Sequence, residues 1–164
     1  MKREETVDYN IKGLWHGISR MYNQYGAEYD VTASTGFVLL NIDGEEGTPA
    51  TKIAPLLGME SRSLTRMLKS IEEKGWVYRE KDPVDGRSVR IFLTEVGKQK
   101  RELSRRAVRE FNKKVRSLIS EEKLNSFFEV LKDLNDIVND PKIFDKVARE
   151  ISDEFASNGV LTNT

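Results

Sequence analysis

The sequence predicts a mainly α-helical chain with one small antiparallel β-hairpin, and three observations carry that reading. Apolar residues recur at helical spacing through most of the 164 positions. Between Thr48 and Gly75 two short helical patterns are joined by about three residues around Gly58, the organisation of a helix-turn-helix. From Trp76 to Leu93 the period changes to two around an Asp-Gly turn.

Val7, Ile11, Leu14, Trp15, Ile18, Met21, Tyr22 and Tyr25 predict an amphipathic helix over 7–25, interrupted by Gly26 and Asp30. A second helix starts at Thr32, runs through Phe37, Val38, Leu39, Leu40 and Ile42, and ends at Asp43-Gly44-Glu45-Glu46-Gly47. Thr48-Pro49 reads as a helix start, a hydroxyl N-cap with proline at the first helical position. The helix after it is expected to bury Ile53, Ala54, Leu56 and Leu57, with Pro55 shortening it and Gly58 ending it. A third helix, capped by Glu60 or Ser61, buries Leu64, Met67, Leu68 and Ile71 and stops at Lys74-Gly75.

Trp76 to Glu80 and the alternating Val89, Ile91 and Leu93 form the hairpin strands, with Lys81 to Ser88 as a polar tip. Its apolar face is expected to cover the helix pair. Thr94 caps a long helix over 95–118 that begins with Lys98, Lys100, Arg101, Arg105, Arg106 and Arg109 and turns apolar toward Phe111, Val115 and Leu118. Ser120-Glu121-Glu122 opens another helix with the stripe Leu124, Phe127, Phe128, Leu131, Leu134, Ile137 and Val138. Asp140-Pro141 opens a last one, with Ile143, Phe144, Val147, Ile151 and Phe155 apolar. Ser157 to Thr164 reads as a frayed tail.

Composition narrows the function classes. With 33% charged and 38% hydrophobic residues, no run approaches the roughly 18 apolar residues of a membrane span. No short apolar core follows Met1-Lys2-Arg3-Glu4-Glu5, so a secretory signal is not expected and a cytoplasmic location is. The chain has no cysteine and one histidine, His16, which removes thiolate chemistry and a multi-His metal site. Asp82 and Asp85 are a carboxylate pair on a wet hairpin tip with no base or nucleophile nearby, and no phosphate-binding glycine loop is present. Neither catalysis nor a cofactor is expected.

The overall balance of 27 cationic and 27 anionic residues hides a pattern. Residues 1–60 carry net −4, residues 61–116 net +9 and residues 117–164 net −5. A basic middle between acidic ends suits a polyanion, although solvated helix faces give the same count.

A helix-turn-helix followed by a β-hairpin is a winged helix. The second helix of the pair fits a DNA major groove, where base edges carry a distinct donor and acceptor code. Its exposed side chains should be small, polar and basic, and Ser61, Arg62, Ser63, Thr65, Arg66 and Lys69 meet that demand. Thr51 and Lys52 on the preceding helix and Arg87 and Arg90 on the wing complete the candidate DNA-contacting set. Arg87 at the tip suits a phosphate or a narrow minor groove; a salt bridge to Asp82 or Asp85 is the alternative.

The stretch Gly58 to Leu68, followed by Ile71-Glu72-Glu73-Lys74-Gly75-Trp76-Val77, resembles the recognition helix and first wing strand of MarR-type regulators. Asp82-Pro83-Val84-Asp85-Gly86-Arg87 and Leu93-Thr94-Glu95-Val96-Gly97-Lys98 resemble that family's wing and its exit. The resemblance spans about residues 8–138. Gly86 stands where the family frequently carries arginine, so contacts from that position are out of reach.

The resemblance implies a repressor that binds a pseudo-palindromic operator in double-stranded DNA as a homodimer and is released by a small, often aromatic, effector. It gives a winged helix-turn-helix flanked by N- and C-terminal dimerisation helices. Residues 1–30 form the N-terminal dimerisation helix, 31–98 the DNA-binding domain, 99–156 the linking and C-terminal dimerisation helices, and 157–164 a flexible tail. The apolar stripes outside 31–98 independently call for a partner surface, a second chain or an intramolecular bundle. Trp15, His16, Met21, Tyr22 and Phe37 are the candidate effector-pocket residues; ordinary core packing explains each of them as well. A sequence-tolerant architectural DNA binder and a winged helix used for protein contacts are the competing readings.

Overall fold

The computed structural model describes residues 1–83, 85, 86 and 88–157. The chain divides into two units, Met1–Asn112 and Lys113–Thr164.

In the first unit a short 3-10 turn at Arg3–Glu5 leads into α1 (Val7–Gly26). A second turn, Ala27–Tyr29, ends at Asp30 in the left-handed region, and α2 (Ala33–Leu40) follows. Thr32, where the second helix was expected to start, caps α2, its hydroxyl accepting from Thr35 N–H, and Asn23 of α1 accepts from Ala33 N–H at 2.8 Å. Ile42 is fully buried although α2 stops two residues before it.

β1 (Thr48–Pro49), α3 (Ala50–Leu56) and α4 (Ser61–Glu73) come next, then β2 (Val77–Lys81) and β3 (Val89–Leu93). The sheet has the order β1-β3-β2, all antiparallel, with Thr48 opposite Ile91 and Val77 opposite Leu93. α5 (Glu95–Leu118) follows, with Thr94 Oγ accepting from Gly97 N–H at 3.0 Å as its cap.

The core joins α2, α3, α4 and the sheet. Val38, Leu39, Ile42, Ile53, Leu64, Leu68, Ile71, Trp76, Val77, Ile91 and Leu93 form it, so the hairpin's apolar face does cover the helix pair. Ile53, Ile71 and Ile91 lose all solvent exposure, and burial of such a side chain contributes about 1.5–3 kcal/mol. Trp76 is buried just ahead of β2, with the ammonium groups of Lys74 and Lys100 at 5.0 and 5.4 Å from its ring centre.

Two expectations are corrected. Thr48 does not cap a helix; it lies in β1, where its hydroxyl accepts from Asp43 N–H at 2.8 Å and donates to the Asn41 carbonyl at 3.3 Å. Pro49 is therefore the N-cap of α3 and not its first residue. A two-residue strand carries too little pattern to compete with a Thr-Pro helix signal. The turn into β1 needs Gly47, whose φ is +66°, because a Cβ there would fall 2.7 Å from the Ile91 carbonyl oxygen. Leu56 is 65% exposed and not core. At 3.6 residues per turn, Leu57 shares a side with Ile53 and Ala54, while Leu56 falls about a third of a turn away.

In the second unit, α6 (Glu121–Asn139) is capped by Ser120, and α7 (Pro141–Ser157) follows Asp140. Leu124 is its buried apolar residue. Phe127, Phe128, Ile137, Val138, Phe144 and Ile151 are each 45–61% exposed. Residues 158–164 of the expected tail lie outside the described residues. No described helix is long and apolar enough to cross a membrane.

Candidate nucleic-acid interface

α4 is sharply two-sided. Leu64, Leu68 and Ile71 face the core, while Ser61, Arg62, Ser63, Thr65, Arg66 and Lys69 are all exposed. The helix spacing accounts for this, since the exposed residues occupy the positions between the i, i+4 and i+7 anchors. Glu60 is the N-cap without a side-chain hydrogen bond, and its carbonyl accepts from Ser63 N–H at 3.0 Å at the positive end of the helix dipole. The Thr65 hydroxyl donates back to the Ser61 carbonyl at 2.8 Å.

Among the described residues Arg62 and Arg66 have no ion pair or hydrogen bond, which leaves both guanidinium groups available to a ligand. Lys69 lies 3.9 Å from Glu73, an exposed pair that adds little stability and is easily exchanged for a phosphate. Thr51 and Lys52 are exposed on α3.

The wing cations divide. Arg87 lies outside the described residues. Arg90 is bonded within the chain: its guanidinium meets Asp82 at 3.0 Å and donates to the Glu46 carbonyl at 3.0 Å. Asp82 is 6% exposed, and its other oxygen accepts from Asp85 N–H at 3.1 Å. The turn that Arg90 reaches is itself organised by Asp43, whose carboxylate accepts from the Glu46 and Glu45 N–H groups. Those bonds hold its pKa below the ordinary carboxylate value, with smaller help from Arg101 and Arg90. Nothing in the sequence pattern marked this network; Asp82 and Arg90 are eight residues apart, and their meeting follows from the strand register.

The effector-pocket candidates also divide. Tyr22 and Phe37 line a crevice with Val31, Gly36, Leu103 and Ser104. Trp15 stands against Phe37 with ring centres 5.6 Å apart, and Tyr22 meets Phe37 at 6.0 Å and Phe111 at 5.9 Å. Burial pushes the Tyr22 phenol above its ordinary pKa. Trp15 and Tyr22 are seven residues apart and share a face of α1. His16 and Met21 sit one step to either side, are exposed, and take no part in the crevice. The crevice holds about 30 Å³ open to a water-sized molecule. That is room for about one water, whereas a cavity of about 150 Å³ accepts benzene.

Comparison with known proteins agrees with this architecture. The MarR family model matches residues 31–89. The HTH-type transcriptional regulator SarZ of Staphylococcus aureus (strain USA300) is 35% identical over 96 residues, covering 58% of this chain. The chain spans 65% of the length of that relative. The S. aureus MepR chain solved as a DNA complex matches with a TM-score of 0.73 at 23% identity, covering 80% of this chain and 97% of MepR. Wild-type MarR from E. coli in its apo form gives a TM-score of 0.63 at 25% identity, covering 79% of this chain and 96% of MarR.

Proposed function

We propose, from the match of residues 31–89 to the MarR family model, that the chain is a MarR-type, sequence-specific DNA-binding transcriptional repressor acting as a homodimer on a pseudo-palindromic operator. The observation that carries this reading is the outer face of α4. Six polar or basic side chains are exposed there in one helix-wide strip, two of them arginines with no partner among the described residues, beside a β-hairpin wing. The MepR complex supports the same reading, since that protein carries this fold on DNA.

In this function Ser61, Arg62, Ser63, Thr65, Arg66 and Lys69 face the major groove, Thr51 and Lys52 approach the backbone from α3, and Arg87 serves the wing contact. Two such surfaces in a symmetric dimer address half-sites about 10 base pairs apart, centre to centre. Release by a small aromatic acid belongs to the same proposal. The apolar walls around Tyr22 and Phe37 support it, and a crevice of 30 Å³ means that the effector-bound state must open this region.

Selection of bound duplexes from a random pool tests the proposal, followed by challenge of the selected duplex with aromatic acids. Equal affinity for selected and random duplexes would point to an architectural binder. Salt-insensitive or absent binding would point to a protein-contact module. Arg66→Ala and Lys69→Ala are expected to behave differently on the selected operator. The variant that loses a base contact should lose about 1–3 kcal/mol and relax one operator position; the one that loses a phosphate contact should weaken all sequences alike. Wild-type affinity in both variants would remove α4 from the interface.

A further inference from the structure

Arg90 is the second residue of β3, across from Glu80 on β2 and Pro49 on β1. Its Nε donates to Asp82 Oδ2 at 3.1 Å and its Nη2 lies 3.0 Å from the same oxygen. Its Nη1 donates to the Glu46 carbonyl at 3.0 Å and lies 3.5 Å from that of Gly47. Asp82 in turn holds the wing. Its second carboxylate oxygen accepts from Asp85 N–H, its own N–H donates to the Ser88 carbonyl at 3.0 Å, and Ser88 N–H donates to the Asp85 carbonyl at 2.8 Å. One guanidinium therefore ties the base of the wing tip to the turn ahead of β1. The two side chains are 20% and 6% exposed, so the pair is largely withdrawn from water.

For Arg90 to reach a phosphate it would have to abandon a buried carboxylate. Taking the guanidinium away from a buried carboxylate carries a desolvation cost that an exposed phosphate contact must first offset. The planar fork also suits a fixed bracket, since its donors are set in one plane and lock what they bind. We propose that Arg90 and Asp82 form a positioning pair, which sets the wing tip at its working height and angle beside α4 without touching DNA. The inference rests on the DNA-binding reading above and assigns Arg90 a role different from that of Arg62, Arg66 and Arg87.

The sign of one substitution separates the roles. Asp82→Asn removes a negative charge from the DNA-facing side of the molecule. If Arg90 simply attracted phosphate, that change would leave affinity unchanged or raise it. If the pair positions the wing, affinity falls about tenfold, Arg90→Gln falls about tenfold, and the double variant also falls about tenfold and not a hundredfold, because both act through one contact. Hydrogen exchange should quicken at the Asp85 and Ser88 amides while the helices keep their protection. Should Asp82→Asn lower the thermal midpoint of the whole chain, Arg90→Lys keeps the charge and loses the fork. It should then lose affinity at the wild-type midpoint.

The measurements are operator affinity for the wild type and the four variants, and amide exchange in the absence of DNA. Weaker binding in Arg90→Gln with unchanged or tighter binding in Asp82→Asn would assign Arg90 to the duplex and overturn the proposal. A wild-type chain that binds no duplex would instead defeat the regulator reading. Unchanged exchange at Asp85 and Ser88 in both variants would overturn the pair's positioning role on its own.

Discussion

A chain ended at Arg116, lacking α6 and α7, is expected to be a monomer at tens of micromolar and to bind operator at least about a hundredfold more weakly than the full chain. The expectation rests on how little the second unit buries. Leu124 is its buried apolar residue, while Phe127, Phe128, Val130, Ile137 and Val138 on α6 and Ile143, Phe144, Val147, Ile151 and Phe155 on α7 are each at least 39% exposed. The outer face of α1 adds Val7, Ile11, Leu14 and Trp15, at 46–57%. Apolar side chains exposed in such number call for a partner surface, and a symmetric pair of chains covers them in one step. Once two winged helices are linked, binding of the second half-site becomes intramolecular, which is worth a factor of roughly 10²–10⁴. Removing the linkage forfeits that factor without altering one DNA contact. The full-length variant Phe128→Lys/Val138→Lys makes the same point without truncation, because both side chains are exposed within their own chain and a lysine there strains nothing. Sedimentation equilibrium decides the matter. A dimer that survives both changes would place the interface elsewhere.

The sequence revealed the elements whose signals are repetitive and concealed those that depend on a single long-range meeting. α1, α4, α5, α6 and α7 were legible because each shows three or more turns of apolar spacing, and for α5 and α6 a capping residue as well: Thr94 and Ser120 cap where expected. β1 was not legible. It is two residues long and exists because β3 offers a free edge, so its Thr-Pro pair gave a helix-start signal in place of a strand signal. Leu56 was misplaced because four apolar residues in five leave the phase of a short helix undetermined, and the packing of Ile53 and Ala54 decides it.

The exposed face of α4 was readable, since it is simply what the buried anchors leave over. The tie between Arg90 and Asp82 was not, because the residues meet only through the register of β3 and the turn at Glu46. For the crevice, the aromatic residues of α1 and Phe37 were visible, but Leu103 and Ser104 come from α5, more than sixty residues further along.

Gly97→Ala is expected to destabilise the chain by about 3 kcal/mol, at the upper end of what overpacking usually costs. The sign is the informative part. Gly97 lies in the first turn of a 24-residue helix, where replacing glycine by alanine ordinarily gains about 1 kcal/mol of helix propensity. Here a Cβ would stand 1.9 Å from the Trp76 carbonyl oxygen and 2.9 Å from its carbon, with Leu93 Cδ2 at 3.4 Å. The first two are backbone atoms, and that carbonyl is already held by Thr94, whose N–H donates to it at 3.0 Å. Neither side can yield by a rotamer change, so α5 must back away from the end of α4 and from the sheet. Trp76, buried between Lys74 and Lys100, would lose part of its packing as it did so. Gly13 in α1 is the control: a Cβ there meets nothing within 4 Å, and Gly13→Ala should stabilise the chain by up to about 1 kcal/mol. Thermal unfolding of the two variants should therefore move the midpoint in opposite directions. For a chain of this size Gly97→Ala should lower it by about 6–12 °C. A rise in the midpoint of Gly97→Ala would mean that α5 does not start against Trp76 at this distance.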